Sequence, residues 1–238
     1  MSTHAAGFDA ALAAVLEHEA TASGETPEHY IQRAVVARIV ADMSRRSDPA
    51  LDALRVRLAE IGLEVADIVG NTIADEVVTN PDRLRAVEQT GLLDSAPDPA
   101  FDRIVRMAAE ALGAPSASLS LMDRDRLFIL SAVGLEGELA AARQIPLRSS
   151  ITRSAVAAGN TLVVEDASTD PRLKHLPFVR DRTVVGYLGI PLINPDGYAI
   201  GSLAVWDSKP RRWSTGHVET LHSFARLARQ RIFGGSAA

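Results

Sequence analysis

The sequence predicts an α+β protein: an all-α N-terminal segment, then a mostly antiparallel sheet with helices layered on it. Three observations carry that expectation. Four N-cap residues stand directly before a proline, at Thr26-Pro27, Asp48-Pro49, Asn80-Pro81 and Asp98-Pro99. Such a pair marks a helix start, because the capping oxygen meets orphan amides and proline at the first helical position lacks only an N–H that would be unpaired anyway. From residue 81 the pattern changes to helices mixed with short apolar runs of strand length. Finally, GYLGIPLIN and YAIGSLAVWD flank Pro195-Asp196-Gly197, so the two runs read as one hairpin whose Asp-Gly turn supplies positive φ. Strands, an intervening helical loop and then an antiparallel pair point to α+β.

Taken in order, an initial helix covers roughly residues 8–21, where Phe8, Leu12, Val15 and Leu16 share a face. Further helices begin near 27 and 49. Over 49–78, Leu51, Leu54, Leu58, Ile61, Val65 and Ile68 alternate steps of three and four, the seam spacing of a coiled coil. Gly62 and Gly70 weaken that helix, and the pattern runs under three heptads. A homodimer seam and an amphipathic helix packed on its own domain both stay open. Helices at 81–90 and 99–112 precede the strands SASLSLMD and RLFILSAV. A polar stretch leads to a short helix near 150–158, then to the strand TLVVED. The segment ASTDPRLKHLPFVRD reads as loop plus a short helix; the hairpin follows, and a last helix spans 214–233. The expected division is a helical module at 1–48, a helical connector at 49–80, the sheet-bearing domain at 81–233 and a disordered tail at 234–238.

Cysteine is absent, which removes disulfides, thiolate catalysis, Cys-ligated zinc and thioether-linked chromophores together. No run approaches the ~18 apolar residues of a membrane span, and no basic-then-apolar signal opens the chain. The expectation is a cytoplasmic protein with no membrane partner. Residues 1–80 hold 6 Lys/Arg against 13 Asp/Glu, and residues 81–238 hold 19 against 17. An acidic N-terminal third beside a near-neutral remainder argues for two modules and against a nucleic-acid partner.

Several stretches match a known family in order. They are RLRAVEQTGLLDSAPDPAFDRIVRMAA, LGAPSASLSLMDRDRLFILSAVGL, LVVEDASTDPRL and GYLGIPLINPDGYAIGSLAVWDSKPRRWS. Through them residues 81–233 resemble a GAF domain, the small-molecule sensing module common in bacterial signalling proteins, of the subtype joined to sensor kinases and diguanylate cyclases. The resemblance implies a six-stranded antiparallel sheet with terminal helices on one face and a ligand cavity on the other. It also implies that the quoted hairpin is scaffold, with Gly201 permitting close packing. Members often carry a Cys-x-His pair on the short helix, where this chain has Thr152 and Ser154, and an Arg where it has Val185, ahead of Tyr187. Sulfoxide reduction and bilin attachment, which need cysteine in that family, are therefore not expected. With Gly24-x-Thr26 at a turn and Tyr30-Ile31 packing inward, residues 8–40 resemble, more faintly, the helical half of a ribbon-helix-helix protein. The residues before Phe8 lack the basic alternating strand that reads DNA in that family.

Other chemistry is sparse. His217 and His222 stand five apart on a helix, about 140° around the axis, and cannot share one ion as an i, i+4 pair can, so no metal site is expected. There is no G-x-S-x-G, P-loop or H-E-x-x-H. The pairs Glu165-Asp166 and Asp123-x-Asp125 read as turn formers. Arg211, Arg212 and Trp213 are too few for a phosphate track. The segment DPRLKHLPFVRDR gathers Arg172, Lys174, His175, Phe178, Arg180 and Arg182 near the expected cavity mouth. Apolar walls with a few convergent polar groups suit an anionic or aromatic metabolite, and a solvated basic loop explains the same residues equally well. The candidate ligand-binding residues are Phe128, Thr152, His175, Phe178, Arg182 and Tyr187.

Together these readings predict a non-enzymatic sensory or regulatory protein with dimerising N-terminal helices. No output domain is recognisable in the chain, so the output is expected from a separate effector protein; the ligand is unnamed and no cofactor is specified. The competing expectation is a ligand-responsive DNA-binding regulator that uses the ribbon-helix-helix-like segment.

Overall fold

A computed structural model describes residues 9–22, 26–45, 50, 53–54, 57–58 and 77–234. The chain forms two compact units, Met1–Ile73 and Ala74–Ala238. In the first, helix α1 (Ala10–Ala22) opens with the Leu12 amide donating to Asp9 Oδ1 at 2.8 Å. Helix α2 (Pro27–Arg45) begins at the expected proline, with the His29 amide donating to Thr26 Oγ1 at 3.2 Å, and the two helices pack on each other. Leu12 and Val15, half of the expected apolar face, are exposed, as are Val35 and Ile39 on α2. The helix start at Pro49, most of the 51–68 seam and the residues before Phe8 lie outside the described residues, as does the tail after 234.

The second unit follows its capping signals. Helix α3 (Pro81–Glu88) is capped by Asn80, whose side chain accepts from the amides of Asp82 and Arg83. Helix α4 (Pro99–Leu112) is capped by Asp98, and its stripe of Phe101, Val105, Ala108, Ala109 and Leu112 is buried. Helix α8 (Thr215–Phe233) starts from a capping box between Ser214 and His217 and buries Leu221, Ala225, Ala228 and Ile232. Between them lie strands β1 (Ser116–Met122) and β2 (Arg126–Val133), helix α5 (Gly137–Ala142), strand β3 (Gln144–Pro146), helix α6 (Thr152–Ala158) and strand β4 (Leu162–Val164). Helix α7 (Pro177–Arg180) and strands β5 (Gly186–Ile193) and β6 (Ala199–Asp207) complete the unit before α8.

The six strands form one antiparallel sheet in the order β3-β2-β1-β6-β5-β4, so the predicted hairpin joins a central strand to its neighbour. At its turn only Gly197 takes positive φ (+89°). The Gly197 amide donates to the Asn194 carbonyl at 3.1 Å and the Asn194 amide to the Tyr198 carbonyl at 2.9 Å. This is a type I turn closed by a glycine bulge, in which Gly197 alone supplies the positive φ expected of the Asp-Gly pair. A side chain at Gly201 would lie 2.0 Å from the Ser120 carbonyl oxygen of β1, which is the close strand contact that glycine permits.

On one face, α4 and α8 cover Leu119, Leu121, Leu130, Leu188, Ile190 and Leu203, forming the main core. On the other, α6 and the 165–185 loop cover a smaller cluster around Ile151, Leu173, Val179, Tyr187 and Trp206. Arg83 fastens α3 to the sheet: fully buried, it donates from Nε to the Val78 carbonyl at 2.9 Å and from Nη1 to the Met122 carbonyl at 2.7 Å. Burial lowers its pKa to about 10, against an opposing pull from Asp123. Among the described residues, no helix is long and apolar enough to cross a membrane.

Candidate functional site

Strand alternation decides which side chains reach the second face. Along β1 the serines Ser118 and Ser120 point one way, while Ala117, Leu119 and Leu121 enter the main core. Facing β1 across the central pair, Ser202 lies opposite Ser120. The small floor leaves a cavity of about 60 Å³, walled by Tyr187 and Trp206 from the sheet, Ile151 and Thr152 from the start of α6, and Phe178 and Val184 from the loop. Leu127, Ile129 and Ile145 close the β2–β3 side. That volume holds roughly four waters and falls well below the ~300–1,000 Å³ of drug-sized sites.

The polar centre of the cavity is Tyr187. A Cβ on Gly189 would meet its oxygen at 2.6 Å, so the ring lies along β5 over a residue with no side chain. Its hydroxyl is 2.9 Å from Thr152 Oγ1 in a buried hydrogen bond. Burial pushes its pKa up to about 12, although the hydrogen bond with Thr152 and the nearby Ser202 hydroxyl act in the opposite direction. Ser202 Oγ faces this same oxygen yet stops short of hydrogen-bond geometry, and it is fully buried with no partner among the described residues. None of the cavity-lining residues carries a charge. The polar groups are hydroxyls, which donate and accept hydrogen bonds without changing charge near neutral pH.

Of the six predicted site residues, the structure brings Thr152, Phe178 and Tyr187 together at the cavity. Phe128 does not join them. It points into the α4/α8 core, where the Arg143 guanidinium stacks 4.9 Å from its ring centroid; its neighbours Leu127 and Ile129 take the cavity side. His175 and Arg182 are exposed and do not line this cavity. The expected convergence of basic groups is corrected likewise. Arg172 pairs with Asp170 at 2.7 Å, and Lys174 and Arg180 face solvent, because a cation leaves water only for a partner and the cavity offers no carboxylate. An anion is therefore not what this cavity suits. Ser154, in place of the family's His, is exposed, and Val185 is buried. The basic-aromatic cluster after β6 is structural: Arg211 donates to the Leu112 and Gly113 carbonyls, and Trp213 Nε1 donates to the Val164 carbonyl at 3.1 Å. No cluster of metal-ligating side chains exists among the described residues. The serines and Gly189 went unremarked in sequence, although the alternation S-x-S-x-S in β1 was there to be read.

Comparison with known proteins gives this arrangement a lineage. Over 148 residues the chain is 34% identical to a cyclic di-GMP phosphodiesterase of Pseudomonas aeruginosa, a match covering 61% of this chain and 24% of that protein. The chain thus spans about a quarter of the length of that relative. Among solved structures, it is similar to the GAF domain of the Acinetobacter phosphoenolpyruvate-protein phosphotransferase, at 20% identity and TM-score 0.49 over 66% of this chain and 94% of that one. It is also similar to the type II free methionine-R-sulfoxide reductase of Thermoplasma acidophilum, at 16% identity and TM-score 0.45 over 57% and 93%. The phosphodiesterase is an enzyme by name, and it overturns the expectation that this protein is not an enzyme. Missing cysteines and missing hydrolase motifs do not set a relative of that protein outside the enzymes. A model of the GAF domain family matches residues 96–232. With that match over more than half its length, on a six-stranded sheet hollow on one face, the chain belongs to the GAF domain family, whose domains are of the sensory and regulatory kind.

Proposed function

We propose that the GAF domain of this protein senses a small uncharged molecule in the cavity between the sheet and the 165–185 loop. Its occupancy regulates cyclic di-GMP phosphodiesterase activity, the activity named for the Pseudomonas relative. The observation that carries the reading is the uncharged hollow itself, floored by Ser118 and Ser120 and bounded by Tyr187, Thr152 and two aromatic walls. A ligand oxygen or nitrogen seated on the serine floor would hydrogen-bond the Ser118 or Ser120 hydroxyl, each of which can donate or accept. Thr152, Phe178 and Tyr187 are the proposed contacts. Cyclic di-GMP itself, a dianion, suits neither the volume nor the uncharged lining, and belongs to the regulated output. Transmission runs through α8 and through pairing of two copies by their N-terminal helices. The exposed Leu12, Val15, Val35 and Ile39 support such pairing.

The test is native mass spectrometry of the freshly purified chain, followed by a thermal-shift screen of neutral compounds of up to about ten heavy atoms. Ser120→Val fills the floor with a strand-favouring side chain. A ligand retained by the wild type and lost by Ser120→Val, with the fold intact by circular dichroism, is the expected result. Equal binding by both proteins, or no binding by the wild type, rejects the cavity as the sensing site.

A further inference from the structure

A second depression lies beside β5 beyond its pairing with β4, between α8 and the turn after α6, with a volume of about 370 Å³. Its composition is the reverse of the first. His222, Arg226 and Arg229 stand at i, i+4 and i+7 on α8 and so form one stripe along the helix. Asn160 and Thr161 face them from the turn, and no Asp or Glu lines the space. Glu219, one turn before His222, is exposed and outside the lining.

Two features of this stripe ask for a ligand. First, Arg229 Nε is buried and has no hydrogen-bond partner among the described residues, a condition that native proteins resolve with a bound ion or water. Second, neither Arg226 nor Arg229 has an ion pair among the described residues. The one hydrogen bond of Arg226 goes to the neutral Ser223 Oγ at 3.3 Å, although like charges one helical turn apart repel. The negative end of the α8 dipole does not account for them, because its effect is confined to the last turn and both precede it. The rim is organised. His222 Nε2 and Thr161 Oγ1 are hydrogen-bonded at 2.9 Å, tying helix to turn. Asn160 Nδ2 donates to the Ala158 carbonyl at 3.1 Å, which covers one of the carbonyls that would repel an anion at the end of α6. Ile190, Pro191 and Ile193 supply an apolar wall.

We infer that this cleft is a binding site for a phosphomonoester of metabolite size. Arg226 and Arg229 grip the phosphate by charge-assisted hydrogen bonds, His222 and Thr161 fix its edge, and the body of the molecule lies on the β5 wall. The volume falls within the range of small-molecule sites, and the site is separate from the cavity of the proposed sensor function.

The full chain is titrated by isothermal calorimetry at low salt with adenosine 5′-monophosphate, ribose 5-phosphate, inorganic phosphate and adenosine. Expected are saturable binding of at least one phosphomonoester, a tenfold or greater loss of affinity in Arg226→Gln and in Arg229→Gln, and no binding of adenosine. Amide shifts of Asn160, Thr161 and His222 on saturation of the wild type locate the ligand without any variant, should either substitution unfold the protein. Inorganic phosphate binding as tightly as the monoesters would overturn the role given to the apolar wall. No phosphomonoester binding up to 10 mM, roughly the weakest useful affinity, overturns the site, as does binding that leaves those three amides unmoved.

Discussion

The two faces of the sheet in the GAF domain use the same strands to opposite ends. Toward α4 and α8, β1 presents Ala117, Leu119 and Leu121, β5 presents Leu188, Ile190 and Leu192, and all are buried in a filled core. Toward α6 and the loop, the same strands present Ser118, Ser120 and Gly189, and a cavity results. The lesson is about volume as much as polarity. A strand whose alternate residues are aliphatic and small supplies a rigid wall on one side and room on the other. The filled face is expected to hold most of the stability, and the second has room for a ligand.

The comparison breaks most visibly if the filled face turns out not to dominate stability. Leu119→Ala should cost about 3–5 kcal/mol in urea denaturation, the range for a fully buried leucine in a core that cannot collapse. A loss under 1 kcal/mol would mean that the core is not tightly packed. The pH dependence of the hollow face comes next. Tyr187 ionises near pH 12 when folded and near 10 when unfolded, so the unfolded chain releases this proton first. Stability is intact below pH 10 and falls as pH rises toward 12, by on the order of 2–3 kcal/mol. Ultraviolet titration should show a late tyrosine ionisation that Tyr187→Phe removes; its persistence in that variant would assign the late group elsewhere. The smallest effect belongs to the floor. Ser202→Ala removes a buried hydroxyl without a hydrogen-bond partner among the described residues, and stability should stay within about 1 kcal/mol of wild type or rise. A larger loss would show that Ser202 holds a structural partner.

Much of this was legible in sequence, for local reasons. The proline-paired caps at Thr26, Asn80 and Asp98 fall where α2, α3 and α4 begin, because capping is a contact between near neighbours. RLFILSAV spans β2 residue for residue. The face that each β2 residue takes was not legible: Leu127, Phe128, Ile129 and Leu130 are all apolar, so nothing in the run distinguishes its sides, and Phe128 lies on the core side instead of the expected cavity side. Strand β3, three residues long, is too short for any period to show. The basic residues of the 170–182 loop are close along the chain, but Arg172 pairs with a neighbour and His175 turns to solvent. Sequence proximity does not fix the direction of a side chain. The stripe of His222, Arg226 and Arg229 had the opposite difficulty. Its spacing was visible, and its meaning depends on β5 and the turn at Asn160, which come from elsewhere in the chain.

The edges of the sheet have one more consequence. Its outer strands, β3 and β4, are three residues each. On β4 the Val164 carbonyl is occupied by the Trp213 indole, and the Glu165 carbonyl just beyond it by the Arg211 amide. A long open border of free amides and carbonyls would invite a foreign strand to add on and seed aggregates. Here the outer carbonyls of β4 are partly sealed by the segment leading into α8, which narrows the stretch of this edge that a strand of a second copy could join.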